Sequence, residues 1–468
     1  MPTKPAPARA LLRGLTLVPA ASIILANIIG TGVFVKARVM ICNVGSPTVL
    51  MAVWVVAGLL SLAGALTYAE LGTMMPRAAG EFHFIGAAFG RRAAFLYGWT
   101  KTLAVGASAA AVSIVCVIFL NDVVGGRMPL WLQQVLPVVL LVVGVGANLT
   151  TVRSSGLVAT LLTCVKVGIV LAIGIGAFVF GDGNWSSFAE SEATGTCSGV
   201  SPAARGGISG FGAAMLGALW GYNGWNVITG MGGEVRDPAR TIPRALIGGT
   251  CLVILLYLLI NTAYFYLLSP SEVASIPESS SVARETVLRF AGAGAASLMA
   301  AGLVVSAYGT LHSTLLTGPR LPFALARHGL LPKVLGELSV NAVPAVAIVG
   351  LGVWSIVLAL SGTFDILTDI YIFVLWIFYG MNGLSVFVLR RTWPEARRPY
   401  RAWGYPIVPA LFLVVTAFLL VNTLVATPVR AIAGLGLILS GLPVYAYMSR
   451  KLEPDHPGAW REQGDDVP

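Results

Sequence analysis

Apolar residues in this chain run in long blocks, without the every-second-residue alternation of a half-buried strand or the one-sided stripe of a surface helix. The blocks fall near 15–40, 47–71, 92–121, 129–148, 155–181, 207–231, 242–268, 288–318, 343–361, 364–389, 406–425 and 429–448. A helix needs about 20 apolar residues to cross hydrocarbon, and in lipid every backbone polar group must find its partner inside the protein. The pattern therefore predicts an all-α membrane protein with twelve transmembrane helices in one domain over 15–449. A short segment at 1–14 precedes that domain, and a polar, proline-containing tail at 450–468 follows it, with a composition that predicts disorder. The first block flows from Leu15 into a glycine-containing span with no A-x-A cleavage site, so it is expected to remain in the mature protein.

Two spans carry glycine-spaced interruptions. The first reads Asn27-Ile28-Ile29-Gly30-Thr31-Gly32-Val33-Phe34, and the sixth reads Leu216-Gly217-Ala218-Leu219-Trp220-Gly221-Tyr222-Asn223-Gly224-Trp225-Asn226. Each lies in the first span of a five-helix half, which predicts a five-plus-five inverted repeat, about 15–181 and 207–389, with discontinuous helices one and six. Additional helices would then occupy about 406–448. Unwound backbone at membrane depth survives only where it is buried in protein or lines a wet cavity. Its freed groups are ligands: N–H groups at a half-helix start suit a carboxylate, and carbonyls at the preceding half-helix end suit an ammonium. A zwitterionic amino acid offers both. The competing reading, that the glycines merely allow close helix packing, loses weight when two breaks occupy matching positions.

Composition agrees with a bilayer as solvent: 468 residues, 56% hydrophobic and 11% charged, with a mean hydropathy of +0.83. The formal charge of +10 does not require nucleic acid, because membrane proteins concentrate Lys and Arg in cytoplasmic loops. With the N-terminus inside, the inner segments hold 21 of the 30 basic residues, and the outer ones hold Lys36, Arg38, Arg127, Arg205, Arg284, Arg289 and Arg430. Both termini are therefore expected in the cytoplasm. Lys101 and Lys166 fall within spans. Lys101 is near enough to a span end to snorkel. Lys166 is about 15 Å from either predicted end of span five, and a buried ammonium there costs about 2.5–3.5 kcal/mol even on insertion scales, so it should have a task.

The five cysteines, Cys42, Cys116, Cys164, Cys197 and Cys251, are scattered with no C-x-x-C pair and read as small hydrophobes. The histidines, His83, His312, His328 and His456, have no metal-ligand spacing. No catalytic group, metal or cofactor is expected.

These motifs together resemble the amino acid, polyamine and organocation transporter superfamily, and within it the L-type amino acid transporter branch and its bacterial relatives. The resemblance rests on Ile28–Phe34, on Tyr68-Ala69-Glu70-Leu71-Gly72 with Pro76-Arg77-Ala78-Ala79-Gly80-Glu81, and on Leu219–Asn226. It continues in Glu234–Pro243, Leu316-Thr317-Gly318-Pro319-Arg320 and Arg397-Arg398-Pro399-Tyr400-Arg401, and runs from about residue 15 to 425. It implies substrate held between helices one, three, six, eight and ten. Ile29, Gly30, Thr31 and Gly32 would cradle its carboxylate, and carbonyls near Ile28, Trp220 and Asn223 would face its ammonium. Trp220 matches the aromatic gate that closes over substrate from outside. Lys166 matches a lysine that points at the broken first helix, where sodium-coupled cousins hold sodium, so sodium independence is implied. Glu81, Glu234 and Arg236 are candidates for the cytoplasmic gate, with solvated surface charge as the alternative.

Asn223 occupies a place where relatives that accept cationic amino acids can carry Asp, and no acid flanks the second break in sequence, so neutral L-amino acids are favoured. His312 departs from the Asn usual in the span-eight motif, which leaves the preferred size of side chain open. The loop at 121–129 lacks the cysteine through which animal members attach a glycoprotein. The resemblance thus favours a stand-alone protein of a bacterial inner membrane, with no disulfide-linked heavy chain. Exchange of one amino acid for another is the leading expectation. Proton-coupled symport, for which Lys166 could also serve, and a non-transporting sensor stay open beside it. A membrane-embedded enzyme would need a convergent acid, base or metal group that the sequence does not offer.

Overall fold

The computed structural model describes residues 15–76, 80–150, 156–341 and 343–450. The segment 1–14 with Lys4, Arg9 and Arg13, then Arg77, Ala78, Ala79 and Arg153, and the tail with Lys451, His456 and Arg461 lie outside the described residues.

The described chain is helical throughout. In order come α1 (Leu17–Ile28), α2 (Gly32–Val35), α3 (Ala37–Val44), α4 (Pro47–Met74), α5 (Gly80–Phe89) and α6 (Arg91–Val123). There follow α7 (Leu130–Thr150), α8 (Gly156–Phe180), α9 (Gly207–Tyr222), α10 (Pro238–Leu267), α11 (Pro270–Ser275) and α12 (Val282–Thr317). The series ends with α13 (Arg320–Arg327), α14 (Ala345–Ser361), α15 (Phe364–Thr392), α16 (Ile407–Ala426), α17 (Pro428–Leu439) and α18 (Gly441–Ser449). One isolated β-bridge joins Leu15 to Val235. Among the described residues ten helices are long and apolar enough to cross a membrane, counting α1 with α2, α12 with α13, and α17 with α18 as single units. Two of the predicted spans are shorter: α14 has 17 residues, and α9 stops after 16 at the second break. The chain is a multi-pass membrane protein.

Helix starts follow local chemistry. Proline stands at the first turn of α4, α10 and α11, where its missing N–H costs nothing. Valines and leucines that a soluble protein would bury, such as Val139, Val142 and Val143 on α7 and Leu411, Val414 and Val421 on α16, face outward. Lipid is the partner such surfaces need. The interior is built by α4 against α10 and α6 against α12, around buried Trp54, Tyr68, Tyr222, Tyr257 and Phe119.

The bundle has two opposite faces. The hairpin face carries α5, between α4 and α6. The loop face carries the 182–206 segment, which folds back over α3: Asn43 donates to the Ala204 carbonyl and its own carbonyl accepts from Gly206.

This folding back corrects the reading of the cysteines as unpaired hydrophobes. Cys42 and Cys197, 155 residues apart in sequence, form a disulfide with their Cα atoms 5.6 Å apart. The first span runs past the predicted edge at 40, to Val44, which carries Cys42 up to the segment bearing Cys197. Nothing in the cysteine spacing announces such a pair, because its geometry depends on where the long segment lands. Cys116, Cys164 and Cys251 are free.

Candidate functional site

The first break begins where α1 ends. Ile29 N–H still reaches the Leu25 carbonyl, but Gly30 N–H turns back to the Ile28 carbonyl at 2.7 Å. The helix restarts at Gly32, so the N–H groups of Thr31, Gly32 and Val33 stand where a helix supplies no partners of its own. Ile28, Ile29, Thr31 and Gly32 are buried and Gly30 is half-buried.

The second break follows Tyr222. Asn223 is extended, Gly224 takes φ +106°, and the chain continues as short 3-10 turns over 227–230 and 232–234. A side chain at Gly224 would be strained by that φ and would also come within about 3 Å of Asn27. At Gly32 a Cβ would lie 2.8 Å from Trp220 Cδ1 and 2.9 Å from Gly221 Cα. The glycines thus have a packing use after all, and it is to let one break lie directly on the other. Tyr257 of α10 sits between them, its hydroxyl 2.9 Å from the Ile28 carbonyl and 2.8 Å from the Gly221 carbonyl. Seven residues on, along the same face of α10, Tyr264 donates to the Val33 carbonyl at 3.2 Å.

Trp220 is buried and meets Phe364 and Tyr371 of α15 edge-on, with centroids 6.0 and 5.4 Å apart. Asn223 is held by the same helix. Its Nδ2 donates to the Tyr371 hydroxyl at 3.3 Å, and its Oδ1 accepts from Tyr379 at 3.1 Å. Lys166, only 4% exposed, donates from Nζ to the Ala26 carbonyl and to Thr310 Oγ1 of α12, both at 3.1 Å. Its ammonium therefore lies at the end of α1, next to the first break. His312 lies 3.2 Å through Nδ1 from Asn148 of α7.

Toward the loop face is a cluster of charges in which Lys36 and Arg38 are buried and their partners half-buried. Lys36, which joins α2 to α3, contacts Asp365 at 2.7 Å, Thr368 at 2.6 Å and Asp369 at 3.7 Å. Arg38 pairs with Asp365 at 3.0 Å, and Arg430 pairs with Asp369. A small cavity opens beside this cluster, lined also by Leu216 and Gly217, one turn before Trp220 on α9.

Toward the hairpin face the chemistry changes. Glu81 is buried, and its carboxylate accepts from Tyr97 at 2.6 Å, Asn226 at 2.8 Å and Tyr68 at 3.2 Å. Tyr379 also lies 3.4 Å from Asn226 Oδ1, so its single hydroxyl proton stands between Asn223 and the Asn226 amide that donates to Glu81. The expectation that no acid stands by the second break therefore needs amendment. Sequence places none there, but α5 folds in and delivers one. The other two gate candidates lie apart from it. Glu234 and Arg236 meet Leu15 through their backbones, the Glu234 carbonyl accepting from Leu15 and the Arg236 N–H donating to it. Neither side chain joins an ion pair among the described residues.

Sequence reasoning missed Tyr257, Tyr371, Tyr379, Asn226, Asp365 and Asp369. For the last two a signal existed: acids four residues apart in an apolar block, which must face one partner. For the tyrosines there was none, since tyrosine in a membrane block is an ordinary interfacial residue. No group of three or more His, Cys, Asp or Glu fit to hold a metal occurs among the described residues.

The sequence model described as "Amino acid permease" matches residues 15–446. The serine/threonine exchanger SteT of Bacillus subtilis is 29% identical over 93% of this chain and 96% of its own length. The b(0,+)-type amino acid transporter 1 of Mus musculus is 30% identical over 90% of this chain and 85% of its own. The large neutral amino acids transporter small subunit 2 of Homo sapiens is 29% identical over 93% and 80%.

Proposed function

Because the chain belongs to the amino acid permease family, we propose that it exchanges neutral L-amino acids by alternating access, without sodium. The observation that carries this reading is the seating of the two helix breaks on one another through Gly32, Trp220 and Gly221. The substrate carboxylate takes the N–H groups around Gly30, Thr31 and Gly32, with Ile29 at its edge, and its ammonium takes carbonyls of Ile28, Trp220 and Asn223. The Ile28 carbonyl already accepts from Gly30 and Tyr257, so substrate entry moves the Tyr257 proton to its other acceptor, Gly221.

Lys166 supplies a fixed positive charge at the end of α1, where a coupling cation would otherwise be needed. Selection for neutral side chains follows from Asn223, an uncharged group clamped by two tyrosines. Both Glu81 oxygens are already committed to Tyr68, Tyr97 and Asn226, so they are not free to pair with a cationic side chain. The names of two of the relatives, a serine/threonine exchanger and a transporter of large neutral amino acids, support the same class, whereas that of the third, a b(0,+)-type amino acid transporter, does not single out neutral substrates.

The loop face is the outer one in this reading. A disulfide persists in oxidising compartments, and Cys42–Cys197 lies there, in agreement with the basic-residue bias that puts both termini in the cytoplasm. Trp220 is then the outer lid, Glu81 belongs to the inner closure, and Glu234 and Arg236, whose backbones bind Leu15, flank it on the same side. The protein acts without a disulfide-linked partner, since its two loop-face cysteines are paired with each other.

Uptake of a panel of radiolabelled amino acids into sodium-free proteoliposomes tests the proposal, with and without internal amino acid and with and without a proton gradient. Uptake of neutral amino acids that requires internal amino acid supports it. Uptake driven by the proton gradient alone replaces exchange with symport, and binding without flux replaces transport with sensing.

A further inference from the structure

We propose that the connection between α15 and α16 is a docking surface for the phosphate headgroups of anionic phospholipids. The five arginines of this stretch divide into two sets. Arg390 and Arg398 turn inward onto Glu70 of α4, which is 1% exposed. Arg390 grips its two carboxylate oxygens at 2.8 and 2.6 Å, Arg398 approaches at 3.4 Å, and Ala402 N–H donates at 2.7 Å. Arg398 also closes the end of α15, donating to the carbonyls of Leu389, Trp393, Pro394 and Ala396. The Arg390 guanidinium stacks 3.6 Å from the centre of the Tyr405 ring. A connection with no regular structure is thereby fixed in shape.

The second set, Arg391, Arg397 and Arg401, is exposed, and none of the three enters an ion pair among the described residues. Glu395 is exposed beside them, which leaves this set with a net charge of +2. Large apolar groups stand alongside: Trp403 is 71% exposed, and Ile407, the first residue of α16, is 75% exposed. Since α15 and α16 are long and apolar enough to span, their junction lies at headgroup depth, where indoles and snorkelling arginines are favoured. Together the two features select an anion attached to an apolar body. Free phosphate would satisfy the arginines and leave Trp403 and Ile407 in water, and a neutral lipid would do the reverse. The surface is independent of which solute the protein moves.

The test is binding of fluorescent phosphatidylglycerol to the purified full-length chain in mild detergent, with phosphatidylcholine as control. Phosphatidylglycerol should bind saturably and more weakly as salt rises. The triple variant Arg391→Gln/Arg397→Gln/Arg401→Gln, altered only at exposed positions, should lose on the order of 100-fold in that affinity, about fivefold for each arginine near an anionic surface. Phosphatidylcholine binding should not change, whereas Trp403→Ala should weaken both lipids. Equal phosphatidylglycerol affinity in wild type and triple variant overturns the proposal, as does full displacement by inorganic phosphate. Binding that emerges only when residues 451–468 are removed also overturns it, because the occupant would then be the chain's own acidic tail.

Discussion

The two faces of the bundle are closed by different chemistry. On the loop face, Lys36 and Arg38, at the loop-side end of the broken first span, meet Asp365 and Asp369 of α15 in direct ion contacts. On the hairpin face, the carboxylate beside the second break, Glu81, is held by two hydroxyls and an amide, and the ion pairs on that side, Arg390 and Arg398 with Glu70, tie α15 and the connection after it to α4 and touch neither break. Parting buried opposite charges exposes both at a cost of several kcal/mol. Parting neutral donors from a carboxylate costs about 1.5–3 kcal/mol per bond, but water can replace each bond singly as the gap opens. The difference predicts an asymmetric cycle, in which the loop side is the firmer latch and the hairpin side opens more readily.

The largest test of that asymmetry is Asp365→Asn. It leaves Lys36 and Arg38 with one carboxylate fewer in a mostly buried cluster, and should shift the loop-side equilibrium toward opening by about 3 kcal/mol, on the order of 150-fold. A cysteine introduced at Leu216, beside the cavity, in a background lacking the three free cysteines, reports this through its rate of modification by an impermeant maleimide. An unchanged rate would mean that the cluster is structural and does not latch. Lys166→Ala comes next. Lys166 touches neither closure but the end of α1 beside the first break, and Thr310 of α12, so influx and efflux should fall together by about tenfold or more. A defect in one direction alone would reassign it to a gate.

Much of this arrangement was legible in the sequence. The breaks at Gly30–Gly32 and after Tyr222 follow from glycines in apolar blocks, and the burial of Lys166 follows from its depth in span five. The closures were not legible, because each depends on a contact between residues more than 100 positions apart. Lys36 and Arg38 counted as outer loop charges, yet Lys36 meets Asp365 329 residues away. Glu81 reads as a candidate for the cytoplasmic gate, but nothing in the sequence pairs it with Asn226, 145 residues on, against which α5 folds it. Periodicity reports which face of a helix is apolar. It does not report which charged end meets which.

Glu81→Gln should have a smaller effect, confined to the hairpin side. Glutamine keeps one acceptor oxygen, and Tyr97 can rotate to accept from the new amide, so about 1–2 kcal/mol of closure is lost. In proteoliposomes of fixed orientation, release at the hairpin face should quicken up to about tenfold, with the apparent affinity at the loop face unchanged. An equal change at both faces would deny that the closures are separable.

The smallest predicted effect decides whether anything connects the two faces. The Tyr257 hydroxyl lies within hydrogen-bond distance of Ile28 of the first break and Gly221 of the second, yet it has one proton to give. Tyr257→Phe removes that shared proton and keeps the ring between Trp54 and Tyr222. Cross-helix hydrogen bonds in membranes average about 0.6 kcal/mol, so stability should drop by about 1 kcal/mol or less. If the proton moves to Gly221 when substrate occupies the Ile28 carbonyl, its loss should leave exchange competent but loosen the link between occupancy and opening, raising uptake into vesicles that hold no internal amino acid. Tyr264→Phe, which loses a bond to Val33 alone, is the matched control. It should cost similar stability and leave obligatory exchange intact. Identical behaviour of the two variants would mean that the breaks touch without communicating.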